Sequence, residues 1–316
     1  MNSIDKIVVT SRSFSKHKVL RQELLSKYSN VKFNDEGLKL TGGDLIDFLE
    51  GADKAITALE VIDDSVLLTL PKLKVISKYG VGIDMIDTDA LKKHNVKLGW
   101  TGGVNRRSVS ELVISSAISL LRHIPIANNE VKNGIWRQHI GRQLSNLTVG
   151  IIGCGYIGKD LANLLKAFGS NVLAYDILDF PEFYQENSVT PVDIDTLLMN
   201  SDVVTLHLPL DKSTENILNK EKMNLMKSSA ILINHSRGGL LDELELKSML
   251  TNGQLAGAAL DVFSQEPPED QELINLSNFL VTPHIGGSAD EAILAMGRAA
   301  INGLDDNEIP DSKIYA

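Results

Sequence analysis

The sequence predicts an α/β protein built from parallel sheets, and three observations carry that reading. Short β-branched apolar runs recur along the 316 residues, each followed by a stretch with helical spacing of its apolar side chains. The runs are solidly apolar rather than alternating, which is the pattern of strands covered on both faces. They form two blocks, one before about residue 100 and one from about residue 147 to 287. Repeated strand–helix alternation of this kind makes βαβ units, and two blocks make two domains.

In chain order the predicted strands are 6–10, 54–57, 74–76, 147–152, 171–175, 202–206 and 230–233. Between the blocks, residues 108–121 carry small and apolar residues at helical spacing. Ser108 with Glu111 there has the pattern of a capping box, so the helix is expected to begin at Ser108. A last helix is expected from about Ser288 to Asn302, before a polar tail with Pro310. No internal repeat or low-complexity tract interrupts the two blocks.

Composition narrows the function classes. Hydrophobic residues make up 43% and charged residues 23%, ordinary for a globular chain. A net charge of −10 argues against a phosphate-neutralising surface, so neither nucleic acid nor anionic membrane is an expected partner. Cys154 is the sole cysteine, which rules out an internal disulfide. The N-terminus lacks the apolar core of a signal peptide, and no window reaches 18 uninterrupted apolar residues. A cytoplasmic location is the expectation, and no metal cluster is expected.

The segment Gly153-Cys154-Gly155-Tyr156-Ile157-Gly158 follows the predicted strand 147–152 and opens a helix-like run. In that context G-x-G-x-x-G is a dinucleotide-binding turn. Gly153 permits the tight turn, Gly155 lets backbone approach a pyrophosphate, and Gly158 lets helix pack on strand. Tyr156 and Ile157 open the helix whose N–H groups face the anion. Asp176, 18 positions after Gly158, stands at the end of the next strand, where a carboxylate accepts from an adenine-ribose diol and repels a 2′-phosphate. NAD is therefore expected over NADP. Cys154 inside this turn is read as a small packing residue.

Four further segments occur in order: 78–84 with Lys78, Val81 and Gly82, 234–239 with His235, Ser236 and Arg237, 257–268 with Asp261 and Glu266, and 282–287 with His284 and Gly286. Together they resemble the D-isomer-specific 2-hydroxyacid dehydrogenase family, and the resemblance runs over nearly the whole chain. It implies a Rossmann-type cofactor domain over 102–287 and a flavodoxin-like substrate domain over 1–101 and 288–316, with an active-site cleft between them. It also implies a homodimer, through the cofactor domain and the arm at 122–147.

The chemistry explains why these residue types are needed. Reducing a 2-oxo acid takes a cation on the carboxylate and an acid to protonate the oxygen as hydride arrives. Arg237 suits the first task through its planar fork, and His284 suits the second because imidazole titrates near neutrality. Glu266 would fix the histidine's tautomer. The resemblance assigns the catalytic roles to these three residues. It also implies that Val81 and Gly82 offer backbone N–H groups to the substrate carboxylate, and that Ser108, His207, Pro209, His235, Ser236, Asp261 and Gly286 line the cofactor.

Departures from the family pattern bear on substrate. Met85 replaces an asparagine, and Ala58 stands where many phosphoglycerate enzymes of the family carry an arginine. Lys78, Arg106 and Arg107 remain as cations for that region. The expected substrate is thus a small D-2-hydroxy acid or its 2-oxo acid, with phosphoglycerate, glycerate and hydroxypyruvate all open. The family also contains NAD(H)-sensing corepressors, so a non-catalytic interaction protein is the alternative; the compact length and acidic charge weigh against it.

Overall fold

A computed structural model describes residues 5–310 of the chain. They fall into two compact units, one running up to Asn105 and resuming at Asp290, the other Arg106–Ala289.

The first unit is organised by β1 (Ile7–Val9), β2 (Val31–Phe33), β3 (Lys54–Thr57), β4 (Val75–Lys78) and β5 (Lys97–Gly99). They form an all-parallel sheet in the order β2-β1-β3-β4-β5. Ile7 and Val9 enter one core with Ile56, Phe14 and Leu20, while Val8 enters the other with Ala55, Ile76 and Leu45. Both faces are covered at β1, which is why Ile7-Val8-Val9 reads as an unbroken apolar run. The helix Asp290–Gly303 closes one face through Ala300 and Ile301. It packs so closely that a Cβ on Gly99 would lie 2.1 Å from the Gly303 carbonyl oxygen.

The second unit holds β6 (Thr148–Ile152), β7 (Asn171–Tyr175), β8 (Val189–Pro191), β9 (Val203–Leu206), β10 (Ile231–Asn234), β11 (Gly257–Leu260) and β12 (Phe279–Val281). All pair in parallel, in the order β12-β11-β10-β9-β6-β7-β8. Strand order reverses between β6 and β9, and in open α/β sheets ligands bind beyond the carboxyl ends at that point. The two sheets confirm the doubly wound α/β class.

Two expectations need correction. The helix at the head of this unit is Arg106–Leu121, so Ser108 lies inside its first turn and is not a cap. Its hydroxyl instead donates to the Gly286 carbonyl at 2.6 Å, a tertiary bond that sequence spacing does not reveal. The strand reading also omits β2, β5, β8, β11 and β12. Four of these are three residues long, and β11 is Gly-Ala-Ala-Leu, poor in β-formers. Small residues are needed there because Gly257 passes 3.0 Å, measured from a built Cβ, from the Asn278 carbonyl oxygen.

Candidate active site

The glycine turn leaves the carboxyl end of β6 with Gly153 at φ +98°, a conformation that favours glycine. A Cβ there would lie 2.5 Å from the His207 carbonyl oxygen, and one on Gly158 would lie 2.1 Å from the Gly153 carbonyl oxygen. Gly155 is different, because a Cβ on it would meet nothing within 4 Å. Protein packing does not require glycine at that position, so its bareness suits an approaching ligand. Gly155 is also the N-cap of the helix Tyr156–Phe168 and gives it no side-chain cap, which leaves first-turn N–H groups for an anion. These residues fit the pyrophosphate of a dinucleotide. Tyr156 is exposed and Ile157 packs partly into the core beneath.

Asp176, just past β7, accepts from the Cys154 N–H at 2.6 Å and the Leu178 N–H at 2.9 Å. It thereby latches the strand end to the glycine turn while its carboxylate keeps lone pairs for a ribose diol. Burial, then the Asp176 charge, pushes the Cys154 thiol up to about 11, so this cysteine is an inert packing residue.

At the carboxyl end of β10, Asn234 organises the loop that carries Arg237. Its side chain donates to the Arg237 carbonyl at 2.7 Å and accepts from the Ser236 N–H at 3.1 Å and hydroxyl at 2.9 Å. The Arg237 guanidinium donates to the Ser236 carbonyl at 2.7 Å. Gly238 must be glycine, since a Cβ would lie 1.9 Å from the Phe263 carbonyl oxygen. The sequence reading gives Asn234 no role, although its place at the head of Asn-x-Ser-Arg-Gly is a usable signal.

His284 stands on the loop after β12 with φ +54°, strained for a residue with a side chain. Asp261, 1% exposed, enforces that turn. Its carboxylate accepts from the Thr282 hydroxyl at 2.6 Å and from the N–H groups of Ile285 and Gly286 at 2.8 and 2.7 Å. Its carbonyl takes the His284 N–H at 2.8 Å. Asp261 is thus a positioning residue for the histidine loop, with its carboxylate engaged inside the protein. Glu266 accepts from the Phe263 N–H at 3.2 Å through one oxygen and pairs with His284 Nδ1 at 2.9 Å through the other. That pairing leaves Nε2 of His284, on a half-exposed side chain, to face a reactant.

In the first unit, Gly80 at φ +123° turns the chain after β4. The Trp100 indole N–H pins the Val81 carbonyl at 2.9 Å, and the N–H groups of Val81 and Gly82 find no acceptor among the described residues. Successive free N–H groups of this kind form an anion-binding nest. Lys78 is buried, with its ammonium on the Ala58 carbonyl. Arg107 is not an available cation, because its guanidinium forks onto Asp160 with two bonds of 2.9 Å.

Residues 114–286 match the D-isomer specific 2-hydroxyacid dehydrogenase, NAD binding domain. The chain belongs to this family. It is 33% identical over 292 residues to the glyoxylate reductase of Thermococcus litoralis, covering 89% of this chain and 88% of that one. It is 38% identical over 263 residues to the D-3-phosphoglycerate dehydrogenase of Methanocaldococcus jannaschii, covering 82% of this chain. The chain spans about half the length of the phosphoglycerate dehydrogenases it matches, 50% in that case. Among solved structures, D-lactate dehydrogenase from Aquifex aeolicus, complexed with NAD and lactic acid, superposes with a TM-score of 0.82 at 26% identity. That likeness covers 94% of this chain and 93% of the other.

Two histidines of this family member lie in the second unit one residue past β9 and β10, His235 buried and His207 half-buried. His207 pairs through Nε2 with the Thr205 hydroxyl at 3.0 Å, and His235 through Nε2 with the Ser116 hydroxyl at 3.5 Å. Their Nδ1 atoms are buried without a partner among the described residues. Burial, then the charge of His235, pushes the His207 imidazole down to about 3, and burial pushes His235 down to about 4. Both lie below the unfolded value of about 6.5. The unfolded chain therefore binds more protons below that value. The stability these histidines give is complete above pH 6.5 and falls towards pH 4, by up to about 1.4 kcal/mol per pH unit for each. Calorimetry should show the melting temperature dropping between pH 7 and pH 4.5, and dropping less in His235→Gln. Pro209, on the loop after His207, is held through its carbonyl by the Thr214 hydroxyl at 2.7 Å.

Proposed function

We propose that the protein is an NAD-dependent oxidoreductase that interconverts a small D-2-hydroxy acid and its 2-oxo acid. The observation that carries the reading is the His284 Nδ1–Glu266 pair at 2.9 Å on a loop set by Asp261, beyond the carboxyl edge of the sheet that holds the glycine turn. Gly155 and the first-turn N–H groups of the helix Tyr156–Phe168 would hold NADH, which would supply a hydride for the carbonyl carbon. Arg237 holds the substrate carboxylate by its fork. His284 gives a proton from Nε2 to the carbonyl oxygen as it becomes an alkoxide, and Glu266 keeps the ring oriented and balances the charge. In the oxidative direction the same ring takes the hydroxyl proton. Asp176 favours NAD, because a 2′-phosphate would face its carboxylate.

NADH oxidation against a panel of 2-oxo acids tests the reading. Turnover with at least one of glyoxylate, hydroxypyruvate and pyruvate is expected, and tight NADH binding without turnover on any of them would favour the interaction-protein alternative.

The protein is further proposed to work as a homodimer in the cytoplasm, on a small-molecule substrate and without nucleic acid or membrane as partner. The helix Ile124–Lys132 buries none of its side chains, and Trp136 and Ile140 beside it are 86% and 95% exposed. Apolar side chains so placed suit a second copy of the chain. Among the described residues no single helix is long and apolar enough to cross a membrane. Light scattering should give twice the chain mass of 34.5 kDa, and Trp136→Glu with Ile140→Asp should return it to the monomer value.

A further inference from the structure

At the carboxyl edge of the five-stranded sheet, β3 and β4 run side by side with Thr57 in register with Lys78, and the Tyr79 N–H bonds the Thr57 carbonyl at 2.8 Å. The loop that leaves β3, Ala58 to Val61, therefore stands beside the Val81–Gly82 nest. Three features of that loop bear on charge. The buried Lys78 ammonium is bonded to the Ala58 carbonyl and lies 3.7 Å from a Cβ built on Gly80, between the loop and the nest. The Ala58 N–H, a backbone donor at a strand end, is taken at 2.7 Å by the chain's own Glu60 carboxylate. Leu59, between them, is 74% exposed.

The nest with Lys78 beneath it can take one carboxylate. Next to it, where a substrate's other end would lie, the chain has placed a negative charge of its own on the donor that an anion would use, together with an apolar side chain. We infer that Glu60 is a specificity-determining residue, an internal anion that makes this enzyme select 2-hydroxy and 2-oxo acids whose distal end is uncharged and reject those carrying a distal phosphate. The inference rests on the oxidoreductase reading above and adds its substrate class. A phosphate brought to this edge meets a like charge in a partly desolvated setting, and selection by such a repulsive element acts on the unwanted ligand without improving the wanted one. Arg12 is an exposed cation at the head of the helix Arg12–Lys16 that follows β1, so the test includes it.

The experiment compares D-glycerate with 3-phospho-D-glycerate, which differ only by the phosphate. For the intact protein, Glu60→Gln and Arg12→Ala, kcat/KM of each compound is measured with NAD, and binding of each to the protein with NADH is measured by calorimetry. The expected result is a preference of at least about tenfold for D-glycerate in both readouts, reduced about tenfold or more by Glu60→Gln while melting temperature is kept. A contribution to folding alone would change both compounds equally and leave the ratio in place. Preference for the phosphorylated compound, a ratio untouched by Glu60→Gln, a preference abolished by Arg12→Ala alone, or binding of neither compound would each overturn the inference. Absence of turnover with the binding preference intact would instead contradict the oxidoreductase reading and leave the selectivity of this edge standing.

Discussion

Replacing His284 by alanine is expected to lower kcat for 2-oxo acid reduction by about 10² to 10⁴, the range of a positioned general acid, while NADH still binds. The imidazole is the group whose free nitrogen faces outward from a fixed ring, since Nδ1 is held at 2.9 Å by Glu266 and the backbone is held by Asp261. Glu266→Gln keeps the shape of the partner but removes its charge. An amide can donate to Nδ1 and so favour the wrong tautomer, and a loss of at least about tenfold is expected from it. The stopped-flow trace of NADH consumption separates the cases. Loss in the chemical step with unchanged NADH affinity fits the assignment, and a fall of less than about tenfold in His284→Ala would give the proton to another group.

The second large effect separates folding from ligand binding within one turn. Gly158→Ala forces a methyl to 2.1 Å from the Gly153 carbonyl oxygen, a backbone clash that cannot be relieved by a rotamer. It is expected to cost about 1–3 kcal/mol or more of stability. Gly155→Ala meets nothing within 4 Å, so its melting temperature should match the wild type. Its NADH affinity should nevertheless fall by about tenfold or more, because the methyl occupies the side left bare for the pyrophosphate. Fluorescence titration with NADH beside thermal melts checks both. Equal affinity in Gly155→Ala would mean that the dinucleotide does not approach this turn.

The strands β1, β3, β4, β6, β7, β9 and β10 were legible as apolar runs because burial on both faces keeps most of their positions apolar. The strand β11 was not, since Gly257 and the two alanines after it are chosen for close approach to their neighbours rather than for strand propensity. The order of the sheets is a matter of non-local pairing, for which spacing along the chain is silent. Within the candidate site, Arg237, Glu266 and His284 were visible as residue types that suit the chemistry. Asp261 was visible as a position but not in its task, because three of its bonds reach residues 21 to 25 positions away. Ser108 misled for the same reason: its partner, Gly286, lies 178 positions along the chain. Glu60 carried no motif at all, and only the loop geometry gives it a meaning.

The most direct test of the account is to incubate the protein with NADH and hydroxypyruvate and to resolve the product by chiral chromatography. D-glycerate is expected in a one-to-one ratio with NADH consumed, and at least about a hundredfold more slowly from His284→Ala. Formation of the L-enantiomer, or product formed equally by the His284→Ala variant, would contradict it.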